Sequence, residues 1–356
     1  MKLKTPSLLA IWLIGLASLP LVGIAGDAPK VRTTYSCYDG PFGDYEQWVS
    51  ALSSRNPALN KDEFEVQFPE AEYDGYKATL ECAWFDYLVD GVMVRGFYAK
   101  PRNSPTTPYP AIIVNRGGNG TFGAATPAYL MRAVFPLAAK GFFVIGTQYR
   151  GIKYGNWGPS VDYGADEFGG MDVDDVLGLI PIIEEMPQVN HKKLGIIGWS
   201  RGGMMALLAA RRSDRFATIA VVSTPVDLAA TLRFRPEMER VYRQRIPNYE
   251  QEKESALASR SAIGWVNELP ASAPILVLHG QADDRVSAQQ ALSFASRLQD
   301  LARPYKLVVY EGGSHSLVEH QDEVDAEVVS WFRDKLSVAV PPRGWDAGNN
   351  HGDDPP

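Results

Sequence analysis

One serine lies in a sequence context that is typical of nucleophiles in acyl transfer. Residues 198–202 read Gly-Trp-Ser-Arg-Gly, which matches the pattern G-x-S-x-G with Ser200 at its centre. An apolar run at 194–197 predicts a buried strand before this motif, and a helix-forming run at 204–211 follows it. A sharp turn between the two would strain the backbone of Ser200 and lift its hydroxyl clear of a sheet. The sequence therefore predicts a nucleophile at residue 200; the alternative is a glycine-rich turn with an incidental serine.

The same chemistry needs a base, and the chain has five histidines. A serine hydroxyl becomes a good nucleophile when a histidine takes its proton and an acid orients that histidine. With a G-x-S-x-G turn, the acid and then the histidine follow the serine in chain order, each after a strand. His315 fits this order, because it comes directly after the predicted strand 305–310. The other four lie before the serine, at the start of the acid loop, in the last predicted helix or in the tail: His191, His279, His320 and His351.

The acid is expected on the loop that follows the predicted strand 274–279. This loop contains two neighbouring aspartates, Asp283 and Asp284. Adjacent side chains point in different directions, so only one of the two can face His315. The residues themselves leave this choice open.

Several spaced segments resemble, in the same order, the catalytic domain of the prolyl oligopeptidase family of serine peptidases. Residues 279–286 (His-Gly-Gln-Ala-Asp-Asp-Arg-Val) are similar to the acid loop of that family, in which the first aspartate is the triad acid. The resemblance therefore implies that Asp283 is the acid. Three further segments match in order: 148–155 (Gln-Tyr-Arg-Gly-Ile-Lys-Tyr-Gly), 169–176 (Gly-Gly-Met-Asp-Val-Asp-Asp-Val) and Arg260-Ser261. The resemblance covers about residues 80–336 and implies hydrolysis of peptide bonds through an acyl-enzyme.

Two backbone N–H groups are predicted to stabilise the oxyanion of the tetrahedral intermediate. One belongs to Arg201, at the start of the helix that follows the serine. The other belongs to Arg116, in the segment 115–119 (Asn-Arg-Gly-Gly-Asn). Members of the family commonly have Tyr or His before a glycine here, so this segment departs from the family pattern. A side-chain donor from Asn115 is the alternative.

Three residues are candidates for substrate binding: Asn115, Arg150 and Trp199. The predicted topology brings Arg116, Arg150 and Arg201 near one edge of the sheet, where guanidinium groups can bind a substrate carboxylate. The alternative for Arg150 is a structural ion pair with an acid of the residues that follow it: Asp166, Glu167 or Asp172.

Strand and helix patterns alternate from residue 111 onward. This alternation predicts an α/β fold of the α/β-hydrolase type, with a mainly parallel central sheet and helices on both faces. The predicted strands are 111–115, 142–147, 194–197, 218–223, 274–279 and 305–310, and a hairpin that turns at Asp90-Gly91 precedes them. Predicted helices lie at 45–53, 126–140, 172–185 and 204–211. Residues 225–270, with helical stretches at 236–245 and 249–258, interrupt the alternation and predict a small helical cap; a decorative surface insertion is the alternative.

The N-terminal residues predict export. Lys2 and Lys4, an apolar run at 8–19 and small residues up to 26 indicate a signal peptide over residues 1–26. The protein is therefore expected in the periplasm or outside the cell; an uncleaved anchor is the alternative. Three further regions are expected: an N-terminal extension at 27–79, irregular over 27–60 apart from one helix and packed on the domain; a catalytic domain at 80–338; and a disordered tail at 339–356. About fifty residues between the signal and the first hairpin leave no room for the β-propeller of larger family members.

Charge and cysteine content exclude some classes of function. The formal charge of −7 becomes −9 once the two lysines of residues 1–26 are removed. An acidic chain without a basic cluster is a poor candidate for binding nucleic acid. In an oxidising compartment Cys37 and Cys82 can form a disulfide; two separate buried thiols are the alternative. Two cysteines and five scattered histidines form no zinc pattern, and the predicted chemistry needs no metal or cofactor.

Together these features predict an exported serine hydrolase that cleaves peptide bonds. A carboxylic-ester hydrolase with the same three residues is the alternative, and a non-catalytic protein that binds a ligand is a third hypothesis. The expected partner is a small peptide or ester, with neither nucleic acid nor stable membrane association after signal cleavage. The sequence does not specify the oligomeric state.

Overall fold

The structure of the protein is a computed structural model that describes residues 31–103, 107–154 and 161–336. The predicted signal peptide (1–26) and the predicted tail (339–356) lie outside the described residues. Within them, nine strands form one sheet. In chain order the strands are Val31–Ser36 (β1), Leu80–Val89 (β2), Val92–Pro101 (β3), Tyr109–Asn115 (β4), Phe143–Thr147 (β5), Val189–Trp199 (β6), Phe216–Val222 (β7), Ile275–Gly280 (β8) and Tyr305–Tyr310 (β9).

The sheet has the strand order β1-β2-β3-β5-β4-β6-β7-β8-β9. The neighbours from β1 to β5 in this order pair antiparallel, and the hairpin between β2 and β3 turns at Asp90-Gly91 as predicted. All neighbours from β5 to β9 are parallel. The predicted mainly parallel sheet is thereby confirmed. The carboxyl ends of β4, β6, β8 and β9 meet at one edge, which carries the residues predicted to do chemistry.

Thirteen α-helical segments cover the sheet within the described residues. They are Tyr45–Arg55 (α1), Lys61–Gln67 (α2), Glu70–Thr79 (α3), Pro127–Tyr129 (α4), Phe135–Ala139 (α5), Asp172–Leu177 (α6), Leu179–Glu184 (α7), Arg201–Arg212 (α8), Leu228–Phe234 (α9), Met238–Arg245 (α10), Tyr249–Ser259 (α11), Gln289–Asp300 (α12) and Gln321–Leu336 (α13). None of these described helices has both the length and the hydrophobicity that crossing a membrane requires.

Two hydrophobic cores lie on the two faces of the sheet. Ile113 and Ile196 belong to one core, and their neighbours Ile112 and Ile197 belong to the other. Successive side chains of a strand point to opposite faces, so a strand covered on both sides needs apolar residues throughout. Every residue of β4 and β5 is accordingly buried.

Two predicted helices are interrupted. In the helix predicted over 126–140, residues 130–134 form a π turn, and the Phe135 N–H bonds to the Leu130 carbonyl. Pro136 explains the interruption, because proline lacks an N–H and its ring clashes with the carbonyl four residues earlier. The helix predicted over 172–185 divides at Gly178 into α6 and α7.

The N-terminal extension is more regular than predicted. β1 pairs with β2, and α2 and α3 follow α1, so the prediction of irregular chain is wrong for residues 31–36. The ring of Phe42 lies 4.9 Å from that of Trp48 and 6.4 Å from that of Phe135 in α5. A disulfide joins Cys37 to Cys82 in β2. The extension therefore belongs to the core on one face of the sheet.

Residues 225–270, which we call the cap, lie between β7 and β8 and contain α9, α10 and α11. The ring of Tyr242 in α10 packs 5.2 Å from that of Phe168, in the long segment after β5. The Arg260 guanidinium donates a hydrogen bond to the Phe168 carbonyl at 2.9 Å. The cap is thus packed against the same segment that borders the serine turn.

Candidate active site

The serine turn joins β6 to α8 through Ser200. The backbone of Ser200 has φ 54° and ψ −125°, a conformation that is costly for a residue with a side chain. A Cβ added at Gly198 would lie 2.0 Å from the Gly202 carbonyl oxygen, and one added at Gly202 would lie 2.1 Å from the Asn115 carbonyl oxygen. Only glycine fits at both positions, because the backbones approach so closely. The strand, tight turn and helix predicted around Ser200 are therefore present.

His315 and Asp283 come together at the same edge of the sheet. Asp283 follows β8, His315 follows β9, and the His315 Nδ1 lies 2.8 Å from the Asp283 Oδ2. Asp283 is 5% exposed, whereas Asp284 is an exposed residue. The structure therefore brings Asp283, rather than its neighbour, against the histidine. His315 and Ser200 line one cavity.

The Asp283 carboxylate is held by hydrogen bonds on both oxygens. Its Oδ1 accepts the backbone N–H groups of Arg285 at 2.8 Å and Val286 at 2.9 Å. Burial acts to raise the pKa of Asp283, but hydrogen bonds from His279, His315 and the backbone outweigh burial and hold this pKa well below its usual range. An ionised Asp283 keeps the His315 proton on Nδ1, which leaves the His315 Nε2 free to take a proton.

The cavity beside Ser200 has a volume of about 530 Å³. Its walls are mostly apolar and aromatic: Phe122, Tyr129, Ala133, Phe168, Trp199, Met238 and Val241. The charged side chains in the wall are all arginines: Arg132, Arg201, Arg235 and Arg285. None of the described residues that line the cavity is an aspartate or a glutamate. The cavity therefore presents an apolar surface with positive charge.

Arg116, the second predicted oxyanion donor, does not line this cavity. The residue is completely buried, and its guanidinium donates hydrogen bonds to the carbonyls of Gln148 and Gly120. Gly117 lies next to Ser200, because a Cβ added at Gly117 would lie 3.4 Å from the Ser200 Cβ. The predicted role concerns the Arg116 backbone N–H and stays a prediction, while the next residue, Gly117, lines the cavity.

The Arg201 side chain belongs to a buried ion network behind the serine turn. Its guanidinium bonds to both carboxylate oxygens of Asp166 at 2.7 and 2.8 Å, and it also pairs with Asp172. It donates to the Gly118 carbonyl at 3.0 Å, and Asp166 accepts the Gly120 N–H at 2.6 Å. Burial opposes the charge on Asp166, but Arg201 outweighs it and lowers the pKa of Asp166 to about 2. The network fixes residues 117–120 beside Ser200, and its charges are already paired.

Of the three predicted substrate-binding residues, only Trp199 lines the cavity. Arg150 pairs with Asp175 at 2.7 Å, and the pair is almost completely buried. The structural ion pair given as the alternative for Arg150 is therefore present, but its partner is Asp175 rather than Asp166, Glu167 or Asp172. Asn115 is also fully buried, and its Nδ2 donates to the Ile197 carbonyl at 3.2 Å.

Sequence reasoning missed several residues around the site. Phe122, Met238 and Val241 line the cavity, yet no local pattern distinguishes them from ordinary core residues. His279 is not among the residues predicted to take part, yet its Nε2 lies 3.2 Å from the Asp283 Oδ2. A spacing of four residues indicates a side-chain contact within a helix, but His279 ends a strand and Asp283 lies in the loop after it, so no sequence signal revealed this contact. Across the described ranges, no three His, Cys, Asp or Glu side chains are grouped so that they can hold a metal ion.

Comparison with known proteins relates residues 129–339 to a family described as the prolyl oligopeptidase family. The uncharacterized peptidase YtmA of Bacillus subtilis is 24% identical over 251 residues, which are 70% of this chain and 92% of that protein. The uncharacterized peptidase YuxL of the same organism is 28% identical over 231 residues, or 64% of this chain and 34% of that protein. A probable dipeptidyl-aminopeptidase B of Ajellomyces capsulatus is 26% identical over 298 residues, or 80% of this chain and 30% of that protein.

Among solved structures, the acylaminoacyl peptidase of Pyrococcus horikoshii resembles this fold with a TM-score of 0.62 at 22% identity. The likeness covers 75% of this chain and 43% of that chain. The chain therefore spans most of YtmA but less than half of the larger relatives.

Proposed function

The chain belongs to the prolyl oligopeptidase family and is a serine hydrolase with the α/β-hydrolase fold, and on this premise we propose that it cleaves peptide bonds with Ser200, His315 and Asp283. The observation that carries the proposal is the hydrogen bond between His315 and Asp283 at the cavity that contains Ser200. Relatives that are peptidases favour an amide over an ester as the bond that is cleaved.

The proposed reaction is acyl transfer in two halves. The His315 Nε2 takes the Ser200 proton while the Ser200 Oγ attacks the carbonyl carbon of the substrate. The π electron pair of the C=O bond moves onto the carbonyl oxygen, which becomes the oxyanion. The intermediate collapses when His315 gives that proton to the leaving amine, which departs and leaves an ester on Ser200. A water molecule then attacks the ester with His315 again as base. The acid product leaves and Ser200 regains its proton.

The oxyanion has two proposed donors. The Arg201 N–H belongs to the first turn of α8, where N–H groups lack helical acceptors and the helix dipole favours negative charge. We propose Gly117 in the place predicted for Arg116, since Gly117 both lines the cavity and lies next to Ser200. A donor of this kind contributes ~10²–10³ in turnover.

The cavity charges favour a particular class of peptide. Arg201 is paired with Asp166 and Asp172, and Arg235 lies 2.8 Å from Glu237. Neither of the other two arginines of the wall, Arg132 and Arg285, has a described carboxylate within ion-pair distance, although the Asp325 carboxylate acts on Arg132 electrostatically. Their positive charge repels an ammonium group and attracts a carboxylate. We propose that the substrate is an N-blocked or internal peptide with apolar residues at the cleaved bond, rather than a dipeptide unit with a free amino terminus.

Parallel assays separate these possibilities. N-acylated apolar aminoacyl anilides, dipeptidyl anilides with a free amino group and short acyl esters would be compared on the wild type and on Ser200→Ala. We expect cleavage of N-blocked anilides that is faster than that of the free amines and absent in Ser200→Ala. Ester turnover without anilide cleavage would contradict the peptidase assignment. A preference for the free amines would contradict the substrate class alone.

Export is also part of the proposal. The signal-like residues 1–26 and the disulfide between Cys37 and Cys82 both fit an oxidising compartment. Fractionation of cells that express the full chain, followed by N-terminal sequencing, tests this. We expect a processed protein outside the cytoplasm; an unprocessed cytoplasmic protein would contradict export.

A further inference from the structure

A second histidine contacts the acid of the proposed triad. His279 lies in β8, completely buried, and has no part in the reaction described above. Its Nε2 lies 2.8 Å from the Val286 carbonyl oxygen and 3.2 Å from the Asp283 Oδ2. Its Nδ1 has no hydrogen-bond partner among the described residues. The imidazole therefore contacts the acid loop through its Nε2 alone.

These contacts determine the tautomer of His279. A carbonyl oxygen can only accept a hydrogen bond, so the Nε2 facing Val286 carries a proton. The buried Nδ1 has no acceptor, and a proton there would leave a charged, unpartnered group in the core. The N–H on the His279 Nε2 therefore faces both the Val286 carbonyl and the Asp283 carboxylate.

The His279 N–H completes the set of donors around Asp283. The Oδ1 accepts two backbone N–H groups, and the Oδ2 accepts His315 at 2.8 Å and His279 at 3.2 Å. With four donors in fixed positions, neither carboxylate oxygen can rotate away without losing hydrogen bonds. The Val286 N–H donates to Asp283 and the Val286 carbonyl accepts from His279. The same imidazole therefore also restrains the backbone of the acid loop.

We propose that His279 is a positioning residue that fixes the Asp283 carboxylate, and through it the ring of His315, in the geometry needed for proton transfer. This inference rests on the proposed roles of Asp283 and His315. A misplacement of about 1 Å at a reacting group can reduce turnover on the order of 10²-fold. Loss of the His279 N–H should therefore reduce kcat by roughly 10- to 100-fold and leave KM nearly unchanged, because His279 does not line the substrate cavity.

Three substitutions test this inference. His279→Gln keeps an amide N–H close to the position of Nε2, His279→Asn has the same group on a side chain too short to reach Asp283, and His279→Leu has no donor. We expect kcat near the wild-type value for the Gln variant and reduced kcat for the Asn and Leu variants. Equal kcat in the Gln and Asn variants, whether both high or both low, would overturn the inference, even if the Leu variant fails to fold.

A matched control separates positioning from stability. Val277→Ala removes core volume two residues earlier on β8, at a side chain that is 2% exposed and has no polar group to bond Asp283. Thermal unfolding of each variant gives its loss of stability. Val277→Ala should keep the wild-type kcat even where its loss of stability equals that of the His279 variants. All values are compared with wild-type activity that Ser200→Ala abolishes. Persistent activity in Ser200→Ala refutes the proposed function, whereas unchanged kcat in a folded His279→Leu variant refutes only the role of His279.

Discussion

Replacing Asp283 by asparagine changes one atom and should disable the base. Two backbone N–H groups point at the Oδ1 position, so the amide oxygen of Asp283→Asn takes that place and its NH₂ group takes the place of Oδ2. There the NH₂ faces the His315 Nδ1, 2.8 Å from the present Oδ2. To accept from this NH₂, His315 must carry its proton on Nε2 instead. In that tautomer it cannot take the proton of Ser200.

The flipped orientation of the Asp283→Asn amide would be less stable than the one described above. With the amide flipped, the NH₂ group of Asp283→Asn would oppose the two backbone N–H groups of the acid loop, which is the worse arrangement because both donors lose their acceptor. We therefore expect kcat to fall by ~10⁴, or ~5.5 kcal/mol in the barrier, with little change in KM. The assay is hydrolysis of an N-blocked aminoacyl anilide under saturating substrate.

Asp284→Asn is the matched control for this substitution. The side chain next to Asp283 in sequence is exposed, and its loss of charge should change kcat by less than about twofold. The reasoning is refuted if Asp284→Asn disables turnover while Asp283→Asn does not. It is also refuted if neither substitution reduces kcat, because the hydrogen bond between Asp283 and His315 would then not contribute to catalysis.

Other perturbations have equally specific consequences. Replacing both Cys37 and Cys82 by alanine opens a loop that spans 45 residues of sequence, and urea unfolding should show a loss of ~4 kcal/mol; an unchanged midpoint would count against the disulfide. The pKa of Asp166 is lowered from 3.8 to about 2, so its charged form stabilises the fold above pH 4 and this contribution is lost as pH falls toward 2. The stability difference between wild type and Asp166→Asn should therefore narrow by ~2 kcal/mol over that interval, whereas a difference independent of pH would contradict the ion pair with Arg201. Arg285→Glu should raise the ratio of kcat/KM for free-amine substrates to kcat/KM for N-blocked substrates by about tenfold. An unchanged ratio would exclude Arg285 as a source of this selectivity.

The serine turn and the histidine could be predicted because their constraints are local. G-x-S-x-G requires glycine where backbones meet, and the order of serine, acid and histidine along the chain leaves His315 as the base. The two aspartates of the acid loop could not be distinguished by their own pattern. The family resemblance indicated Asp283, and in the structure its burial and its hydrogen bond to His315 separate it from Asp284. Burial depends on how the loop packs against β8 and β9.

The roles of the arginines depended on packing that no local pattern contains. Four aspartates lie within residues 166–175, and Arg150 contacts this segment in the fold. Asp175 is its partner because α6 turns that side chain toward the start of the segment after β5. The break in the helix predicted over 126–140 is a different case. Pro136 stands within that stretch, so the proline alone was enough to expect an interruption.

The most direct test of Ser200 as the nucleophile is labelling by a fluorophosphonate probe, because only an activated serine reacts with it at an appreciable rate. The wild type and Ser200→Ala would be compared as folded proteins, with intact mass to locate the adduct. We expect one adduct on the wild type, on the peptide that contains residues 198–202, and none on Ser200→Ala. An adduct that persists in Ser200→Ala, or a folded wild type that remains unlabelled, would contradict an activated serine at this turn.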